Sequence, residues 1–385
     1  MDIFEFVRSF KEYSKLSDEE ILNLKELDLS RNQLTFLPES IGNLSNLENL
    51  KLAHNQLTFL PESIGNLSNL QQLDLAHNQI AYLPESFGNL SNLQQLDLSN
   101  NHLDSLPESF GNLSSLESLY LHEGHFTSIP ESIGNLSSLE IVDFSDNNLT
   151  FIPESLGNLS NLKELWLLEN HLTCLPESLG NLIKLQTLDL SGNQLISLPE
   201  IFGNLSNIKD LYLSCNQLTF LPESLVNLSN LQRLWLYHNH LTYLPESLGN
   251  LTKLKYIDLR DNRLTSIPES IGNLSSLEIV DFSGNDLTFL PESLGNLSNL
   301  KEFLLSENKL TCLPENLGNL SSLEILHLSH NRLNDQAQSV LKTLVMTNSV
   351  ITRLLTDKFD FSEELERNER REPAPGRTTI KSVEF

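Results

Sequence analysis

A unit of 23 residues repeats along this chain without insertion or deletion. The first copy begins at Leu24 and reads LKELDLSRNQLTFLPESIGNLSN. Thirteen complete copies (repeats 1–13) cover residues 24–322, and a fourteenth keeps its first half as far as Leu333. One such unit cannot bury its own leucines, whereas stacked units share a continuous core. The period therefore predicts a solenoid, one elongated domain where 385 residues would ordinarily suggest two or three.

The first half of each unit has the pattern of a strand. Leu27 and Leu29 alternate with polar residues, which is the period-2 pattern of a strand with one buried face. We expect these leucines to point inward and Asp28 to point outward. Asn32 and its equivalents follow the strand, and an amide both donates and accepts hydrogen bonds. We therefore expect an asparagine ladder that pairs backbone groups where the chain turns inward.

The second half of each unit returns the chain to the next strand. Proline, as at Pro38, suits the first position of a helical turn, and Gly42 is predicted to take the left-handed conformation that ends it. Eight residues are too few for a full helix, so a short 3₁₀ or helical turn is expected. These turns are wider than strands. The prediction is an α/β solenoid, a curved horseshoe with parallel strands on the concave face and 3₁₀ turns on the convex face.

The acidic composition limits the classes of partner. The chain carries 25 basic and 51 acidic residues, a net charge of −26, which argues against nucleic acid or an anionic membrane as a partner. Much of the charge comes from the glutamate that follows each turn proline, from Glu39 to Glu315. We interpret this outer ladder as a solvated, solubilising surface.

The cysteines and the apolar segments bear on the compartment. Cys174, Cys215 and Cys312 lie in different, well-separated repeats, so reduced thiols and a cytoplasmic location are predicted. The first residues have no apolar signal-peptide region, and no stretch of the chain is apolar enough to span a bilayer. No cofactor and no small-molecule substrate is expected.

Both ends of the repeat array are expected to be closed by helices. Phe4, Val7 and Phe10 have helical spacing, and a capping-box pattern begins at Ser17, which predicts an N-terminal helical cap over 1–23. Apolar residues over 334–360 predict a C-terminal cap of one or two helices. Residues 361–385 are highly charged and contain prolines, which is typical of a disordered tail.

The repeat resembles a known family. The motif LPESIGNLSNLxxLxLxxNxL is similar to the 23-residue leucine-rich repeats of the Ras-group type, found in plant intracellular Ras-group proteins, in animal scaffolds such as Scribble and Erbin, and in bacterial proteins. The resemblance covers residues 24–333 and implies a cytoplasmic, non-enzymatic protein-interaction scaffold, sometimes serving small-GTPase signalling. Two positions depart from the motif. Gly124 replaces the ladder asparagine, and Val226 replaces the turn glycine.

Rare residues gather at the outward positions of the strands. Both tryptophans occupy the position between the two inner leucines. Tryptophan and tyrosine are favoured as interface anchors, so we predict a partner-binding patch in repeats 7–11 of the concave face, joined by Tyr120 of repeat 5. The predicted residues are Tyr120, Trp166, Leu168, Tyr212, Arg233, Trp235, Tyr237, Tyr256 and Arg260. The alternative is that exposed aromatic residues merely suit a strand.

An internal duplication supports the patch. Residues 127–182 and 265–320 differ at eight positions, and among these differences are Trp166/Leu304 and Leu168/Ser306. Most of the differences lie on the strand or the loop after it, whereas the equally exposed turn has barely changed. Drift alone would affect both faces, which favours a binding role for the strand face.

All ten histidines lie on outward strand positions or in the loop that follows. His102, His122 and His125 are close enough in the repeat pattern to suggest a metal site. His54 and His77 stack in one column and could sense pH, because two imidazolium ions repel each other. Solvated or partner-contacting histidines are the alternative in both cases.

Two main functions therefore remain open. The first is a recognition scaffold that grips a protein partner on the concave face, and scattered aspartates there favour a partner of mixed or basic charge. The second is a signalling adaptor whose repeats hold a small GTPase while 361–385 recruit another protein. Metal-dependent activity at the histidines is a third hypothesis.

Overall fold

A computed structural model describes residues 2–357 and 359, and its internal contacts divide the chain into two units between His240 and Leu241. The predicted tail over 361–385 lies outside the described residues. Both units consist of parallel strands that alternate with 3₁₀ turns, as the repeat pattern predicts.

The N-terminal unit contains two helices and ten strands. Helix α1 is Ile3–Arg8 and helix α2 is Asp18–Leu22. The strands are β1 Glu26–Asp28, β2 Asn49–Lys51, β3 Gln72–Asp74, β4 Gln95–Asp97, β5 Ser118–Tyr120, β6 Ile141–Asp143, β7 Glu164–Trp166, β8 Thr187–Asp189, β9 Asp210–Tyr212 and β10 Arg233–Trp235. Neighbours in the chain pair in parallel with a register shift of one repeat, as Leu27 pairs with Leu50.

The C-terminal unit repeats this arrangement. Its strands are β11 Tyr256–Asp258, β12 Ile279–Asp281, β13 Glu302–Leu304, β14 Ile325–His327 and β15 Arg353–Leu355, and its helix α3 is Asp335–Thr347. The strands pair in parallel in this order.

The core of both units is a column of leucines and their substitutes. Leu27 and Leu29 are fully buried, whereas Asp28 between them is exposed, which confirms the predicted alternation. We call the side of each unit that carries Asp28 and its equivalents the strand face. At about 25 cal/mol per Å² of apolar surface, repeated leucine burial is the main stabilising contribution.

The asparagine ladder has the predicted role. The Asn55 side chain donates to the carbonyls of Leu29 at 2.9 Å and Leu52 at 2.8 Å, and its Oδ1 accepts from the Leu34 amide at 2.9 Å. One side chain therefore satisfies backbone groups of two consecutive repeats, which would otherwise be buried without partners.

The turn is a 3₁₀ helix, but the predicted reason for its glycine is wrong. The first turn spans Glu39–Asn43, and Pro38 precedes it in an extended conformation. The turn glycines do not have positive φ. At Gly88, a Cβ atom would lie 2.2 Å from the carbonyl oxygen of Ser109 in the next turn. Glycine at this position is therefore favoured by the close approach of successive turns and not by a left-handed backbone, although repeat 9 accommodates Val226 there.

The left-handed residue lies elsewhere, immediately before the ladder asparagine. This position has φ between 49° and 66° in fourteen repeats, and the occupants are Arg31, His54, His77, Asn100, Glu123, Asp146, Glu169, Gly192, Cys215, His238, Asp261, Gly284, Glu307 and His330. Histidine, asparagine and aspartate are enriched in this conformation. Four of the ten histidines therefore occupy positions with a backbone constraint, which sequence reasoning missed.

Some of the outer glutamates, besides facing solvent, accept hydrogen bonds from the turn of the next repeat. Glu39 Oε2 accepts from the Ser63 amide at 3.2 Å, and Glu131 does the same for Ser155. Each carboxylate thus pairs with an amide in the first turn of the following 3₁₀ helix, which is left free by the helix itself.

The two ends of the array differ from the prediction in detail. Helix α1 buries Ile3, Phe6 and Val7, whereas Phe10 lies beyond its end. Helix α2 has the predicted capping box at Ser17. At the other end, the predicted cap of one or two helices over 334–360 is confirmed only in part, because helix α3 is followed by the strand β15, which pairs with β14. Ile351 and Leu354 are buried there by strand alternation, which short apolar runs do not distinguish from helix.

Candidate functional site

A column of outward residues runs across strands β5–β10 of the N-terminal unit. In register, its members are Tyr120, Asp143, Trp166, Asp189, Tyr212 and Trp235. Each of these residues ends its strand between two buried apolar residues, so its side chain points out of the core on the strand face. The predicted placement of both indoles on this face is therefore observed.

Three rings of this column make contact. Tyr212 and Trp235 stack with their centroids 4.0 Å apart and their planes 8° apart, and Trp166 lies 6.2 Å from Tyr212 at 35°. We call Trp166, Tyr212 and Trp235 the aromatic cluster. All three are half-buried. The stacking fixes the rings in place before any partner arrives, which reduces the entropy that binding must overcome.

Arg233 extends the aromatic cluster with a positive charge. Its guanidinium lies 5.7 Å from the centroid of Trp235, at cation–π distance, and makes two hydrogen bonds to the Asp210 carboxylate at 2.5 and 2.8 Å. The bond to Asp210 raises the pKa of Arg233. Arg233 itself stays exposed.

Asp189 lies between Trp166 and Tyr212 in the column and is 6% exposed, whereas Asp74, Asp97 and Asp143 in equivalent positions are only half-buried. Its Oδ1 accepts from the Ser191 amide at 2.8 Å. Burial raises the pKa of this carboxyl. The expected scatter of exposed aspartates is thus wrong at this position, because the neighbouring rings lean over the carboxylate.

The remaining predicted residues of this unit lie around the aromatic cluster. Tyr120 is two strands from Trp166, with Asp143 between them. Leu168 is half-buried, two residues after Trp166. Tyr237 packs edge-on against His238 at 5.5 Å.

Tyr256 and Arg260 belong to the C-terminal unit and form a different arrangement. Arg260 hydrogen-bonds to Asp258 at 2.6 and 3.0 Å and lies 3.4 Å from Asp281. Asp258 is fully buried and Asp281 is 7% exposed, and the Tyr256 hydroxyl lies 3.4 Å from Asp258. Arg260 thus neutralises a buried pair of carboxylates, a structural role that sequence analysis did not foresee.

This carboxylate pair predicts a pH dependence of stability. Burial raises the pKa of Asp281 to about 6, from 3.8. The folded state then binds more protons than the unfolded state between these values, so the contribution of Asp281 to stability is greatest below pH 4 and falls as the pH rises to 6. The expected loss is about 3 kcal/mol. Asp281→Asn has no carboxyl to titrate, so its unfolding free energy in urea should lack this pH-dependent contribution. The strand end should be preserved, because the amide oxygen can still accept from Ser283.

The matched control is Asp143→Asn. Asp143 occupies the same place in the duplicated segment and accepts from the Ser145 amide, but its side chain is 22% exposed. Asp143→Asn should change the pH dependence of the unfolding free energy much less than Asp281→Asn does. A difference in unfolding free energy between wild type and Asp281→Asn that stays constant from pH 4 to 7 would contradict the assignment.

The histidines proposed as metal ligands do not converge. His102 and His125 stack at 5.5 Å, whereas His122 Nδ1 contacts Ser99 Oγ at 3.0 Å and lies 3.5 Å from Asp143. Within residues 2–357 and 359, no group of three histidine, cysteine or acidic side chains is arranged to hold a metal ion. The rings of the predicted pH-sensing pair, His54 and His77, stack at 4.2 Å.

Sequence analysis missed an exposed aromatic column on the flank of the repeats. Phe36, Phe59 and Tyr82, two residues before the turn proline in repeats 1–3, are 44%, 41% and 60% exposed. Phe151 and Phe220 continue the column with interruptions. Sorting every aromatic residue by its place in the repeat, and not only tryptophan and tyrosine, would have revealed it.

The structure also changes the interpretation of the duplicated segments. The pair Leu165/Phe303 is fully buried, and Asp146/Gly284 occupies the left-handed position. These two differences affect core packing and backbone conformation, so they are not evidence for a binding surface. Trp166/Leu304 and Leu168/Ser306 remain as outward changes on the strand face.

Other predictions concern the thiols and the membrane. Cys174, Cys215 and Cys312 are free thiols, as expected. Within the described part of the chain, no helix combines the length and apolarity needed to cross a bilayer.

Comparisons with known proteins agree with this architecture. A model of the leucine-rich repeat region matches residues 62–168, 145–246 and 240–366, and a leucine rich repeat model matches residues 22–80. No curated protein matches. Among solved structures, a leucine-rich repeat protein of Leptospira interrogans is 36% identical, with a TM-score of 0.80, over 89% of this chain and 86% of that protein.

Two further structures are similar. The plant peptide hormone receptor RGFR1, solved in complex with RGF2, is 31% identical with a TM-score of 0.65 over 88% of this chain and 63% of the receptor. An internalin of Listeria monocytogenes, 23% identical with a TM-score of 0.67 over 93% of this chain and 95% of its own, shares the fold. Because the family models match most of the residues and the Leptospira protein aligns over nearly the whole length, this chain belongs to the leucine-rich repeat family.

Proposed function

We propose that this protein is a non-enzymatic scaffold that binds a protein partner on the strand face of its N-terminal unit, through the aromatic cluster and Arg233. Leucine-rich repeat proteins generally mediate protein–protein interaction, and the receptor RGFR1 is in complex with RGF2. The observation that carries the proposal is the half-exposed stack of Tyr212 on Trp235, with Trp166 beside it.

The chemistry of the aromatic cluster supports this role. Stacked rings present a large, rigid contact area with polar edges, and the Trp166 indole N–H lies 3.3 Å from Glu164. Tryptophan, tyrosine and arginine are the residues most often found at the centre of protein interfaces. Leu168, Tyr120 and Tyr237 lie around the cluster as secondary contacts. Tyr256 and Arg260 stay predicted contacts of the C-terminal unit.

The experiment compares wild type with the variant Trp166→Ala, Tyr212→Ala and Trp235→Ala in affinity capture followed by mass spectrometry. We expect at least about a 100-fold loss of affinity for the captured partner, because each anchor contributes 2 kcal/mol or more at an interface. Thermal unfolding should be nearly unchanged, since the rings lie outside the leucine core.

The duplicated segment supplies a milder variant and a control. Trp166→Leu with Leu168→Ser copies the residues that the chain already holds at positions 304 and 306, so it should fold normally and still lose affinity. Leu304→Ala should retain binding. Undiminished capture by the triple alanine variant would refute the proposal.

The Ras-group subtype, the cytoplasmic location and the small-GTPase adaptor stay predictions from the sequence. The second partner of the adaptor would bind 361–385, which lie outside the described residues. The scaffold is preferred because its binding residues form a defined cluster.

A further inference from the structure

Three aspartates at the outward strand positions of the two units, among the described residues, are almost completely buried, and they differ in how their charge is balanced. Asp258 and Asp281 share the guanidinium of Arg260. Asp189 is 6% exposed. Among the described residues, no lysine, arginine or histidine forms an ion pair with it. A buried carboxylate without a cation is costly unless something supplies the charge.

The surroundings of Asp189 are suited to a cation. Trp166 and Tyr212 flank the carboxylate, and their planes are inclined by 35°, so the rings diverge toward one edge. Aromatic faces attract cations, and the attraction strengthens where water is excluded. The remaining face of Tyr212 is covered by Trp235 at 4.0 Å, which directs any further stacking partner toward the Trp166 side.

The protein shows the same kind of contact elsewhere on the strand face of this unit. Arg233 lies 5.7 Å from the Trp235 centroid while it pairs with Asp210 through two hydrogen bonds. A planar guanidinium can stack on a ring and bind a carboxylate at once, which an ammonium group does less well. Asp210 pairs with an arginine of the chain, whereas no arginine in the described part of the chain pairs with Asp189.

We propose that Asp189, with Trp166 and Tyr212, forms a socket for an arginine side chain of the protein partner. The guanidinium enters where the two ring planes diverge, and the Trp166 ring moves away from its 6.2 Å distance to Tyr212 so that the cation can pair with the carboxylate. This inference rests on the proposed function and specifies the chemistry of its partner, namely a basic segment with an arginine at the centre of the contact. A net charge of −26 favours approach of such a segment. The raised pKa of Asp189 has the same origin, since a carboxylate buried without a cation holds its proton more readily.

The test uses the peptide acetyl-Gly-Arg-Gly-amide as the probe and the full-length protein. The chain has two tryptophans, so their indole N–H resonances can be followed separately by NMR and assigned with Trp166→Leu. We expect a saturable shift of the Trp166 resonance, with a dissociation constant of about 1 mM, as suits a single side chain. The citrulline peptide, which has the same shape without the charge, should cause no saturable shift.

Asp189→Asn is the decisive variant, because its amide oxygen can still accept from Ser191 and preserve the strand end. It should weaken binding of the arginine peptide at least about tenfold, the loss expected for a buried charged contact. The control Asp97→Asn removes a carboxylate from the same column, where it accepts from the Ser99 amide, and should leave the affinity unchanged.

Several results would overturn the socket. These are equal shifts with the arginine and citrulline peptides, absence of a saturable Trp166 shift, or unchanged affinity of Asp189→Asn. Equal or tighter binding of a further probe, acetyl-Gly-Lys-Gly-amide, would also overturn it. Failure of this inference is distinguishable from failure of the proposed function. If Asp189→Asn captures the partner normally while the triple alanine variant does not, the aromatic interface is supported and the arginine socket is refuted.

Discussion

Replacing Asn147 with alanine should destabilise the N-terminal unit by about 3 kcal/mol, because two or more buried backbone groups lose their partners. The Asn147 side chain donates to the carbonyls of Leu121 and Phe144 at 2.9 and 3.0 Å. Its Oδ1 accepts from the Phe126 amide at 3.1 Å. Water cannot replace these bonds at a residue that is 5% exposed. Urea unfolding followed by circular dichroism measures the loss.

The neighbouring residue provides the control. Asn148 is also asparagine but is exposed, and its backbone amide donates a hydrogen bond to the Phe126 carbonyl. Asn148→Ala should therefore change the unfolding free energy by less than about 0.5 kcal/mol. Similar losses in both variants would show that asparagine contributes through local turn preference and not through the ladder.

The chain carries one natural break in this ladder. Gly124 stands in repeat 5 at the ladder position, so it supplies no side-chain acceptor for the preceding repeat. In regular repeats such an acceptor binds an amide, as Asn101 binds Ile80 at 2.9 Å. We infer that the array tolerates a single break because each repeat contributes its own interface energy.

Replacing Gly88 with alanine should destabilise the same unit by about 2–3 kcal/mol, because the added methyl group overlaps backbone atoms that cannot move aside cheaply. The new Cβ would lie 2.2 Å from the Ser109 carbonyl oxygen and 2.9 Å from Ser109 Cβ. Relief requires the two turns to separate, which disturbs the leucine core beneath them. Thermal and urea unfolding of the variant test this expectation.

Gly318 is the matched control, since it has the same place in the last turn but faces helix α3 and not another turn. A Cβ there would meet only Thr343 Cγ2, at 3.9 Å. Gly318→Ala should be neutral or slightly stabilising, because alanine loses less backbone entropy than glycine on folding. A loss at Gly318 equal to that at Gly88 would indicate that glycine is needed for backbone conformation at this position.

The pattern of the sequence was sufficient for the repeat architecture. Leucine alternation gave the strands and their burial, and the asparagine after each strand gave the ladder. The short return segment gave the 3₁₀ turns. These features depend on spacing along the chain, and a 23-residue period places each residue beside its equivalents in the next repeat.

The arrangement of outward side chains depended on the tertiary structure. The sequence placed Trp166, Tyr212 and Trp235 in one column, but only the fold showed that the last two stack and that Asp189, between Trp166 and Tyr212 in register, is buried. Side-chain direction at an outward position depends on the volume of its cross-strand neighbours, which periodicity does not encode.

The sequence pattern also failed to predict which residue of each repeat has the left-handed backbone conformation. The period assigned Gly42 to a left-handed position, whereas the structure places the left-handed residue at His54 and its equivalents and gives the glycine a steric role. The amino-acid sequence therefore determined which residues form the core and in what order the strands lie. The tertiary structure decided which exposed residues are held together and which charges are buried, because those outcomes depend on distances between neighbouring repeats and not on spacing within one.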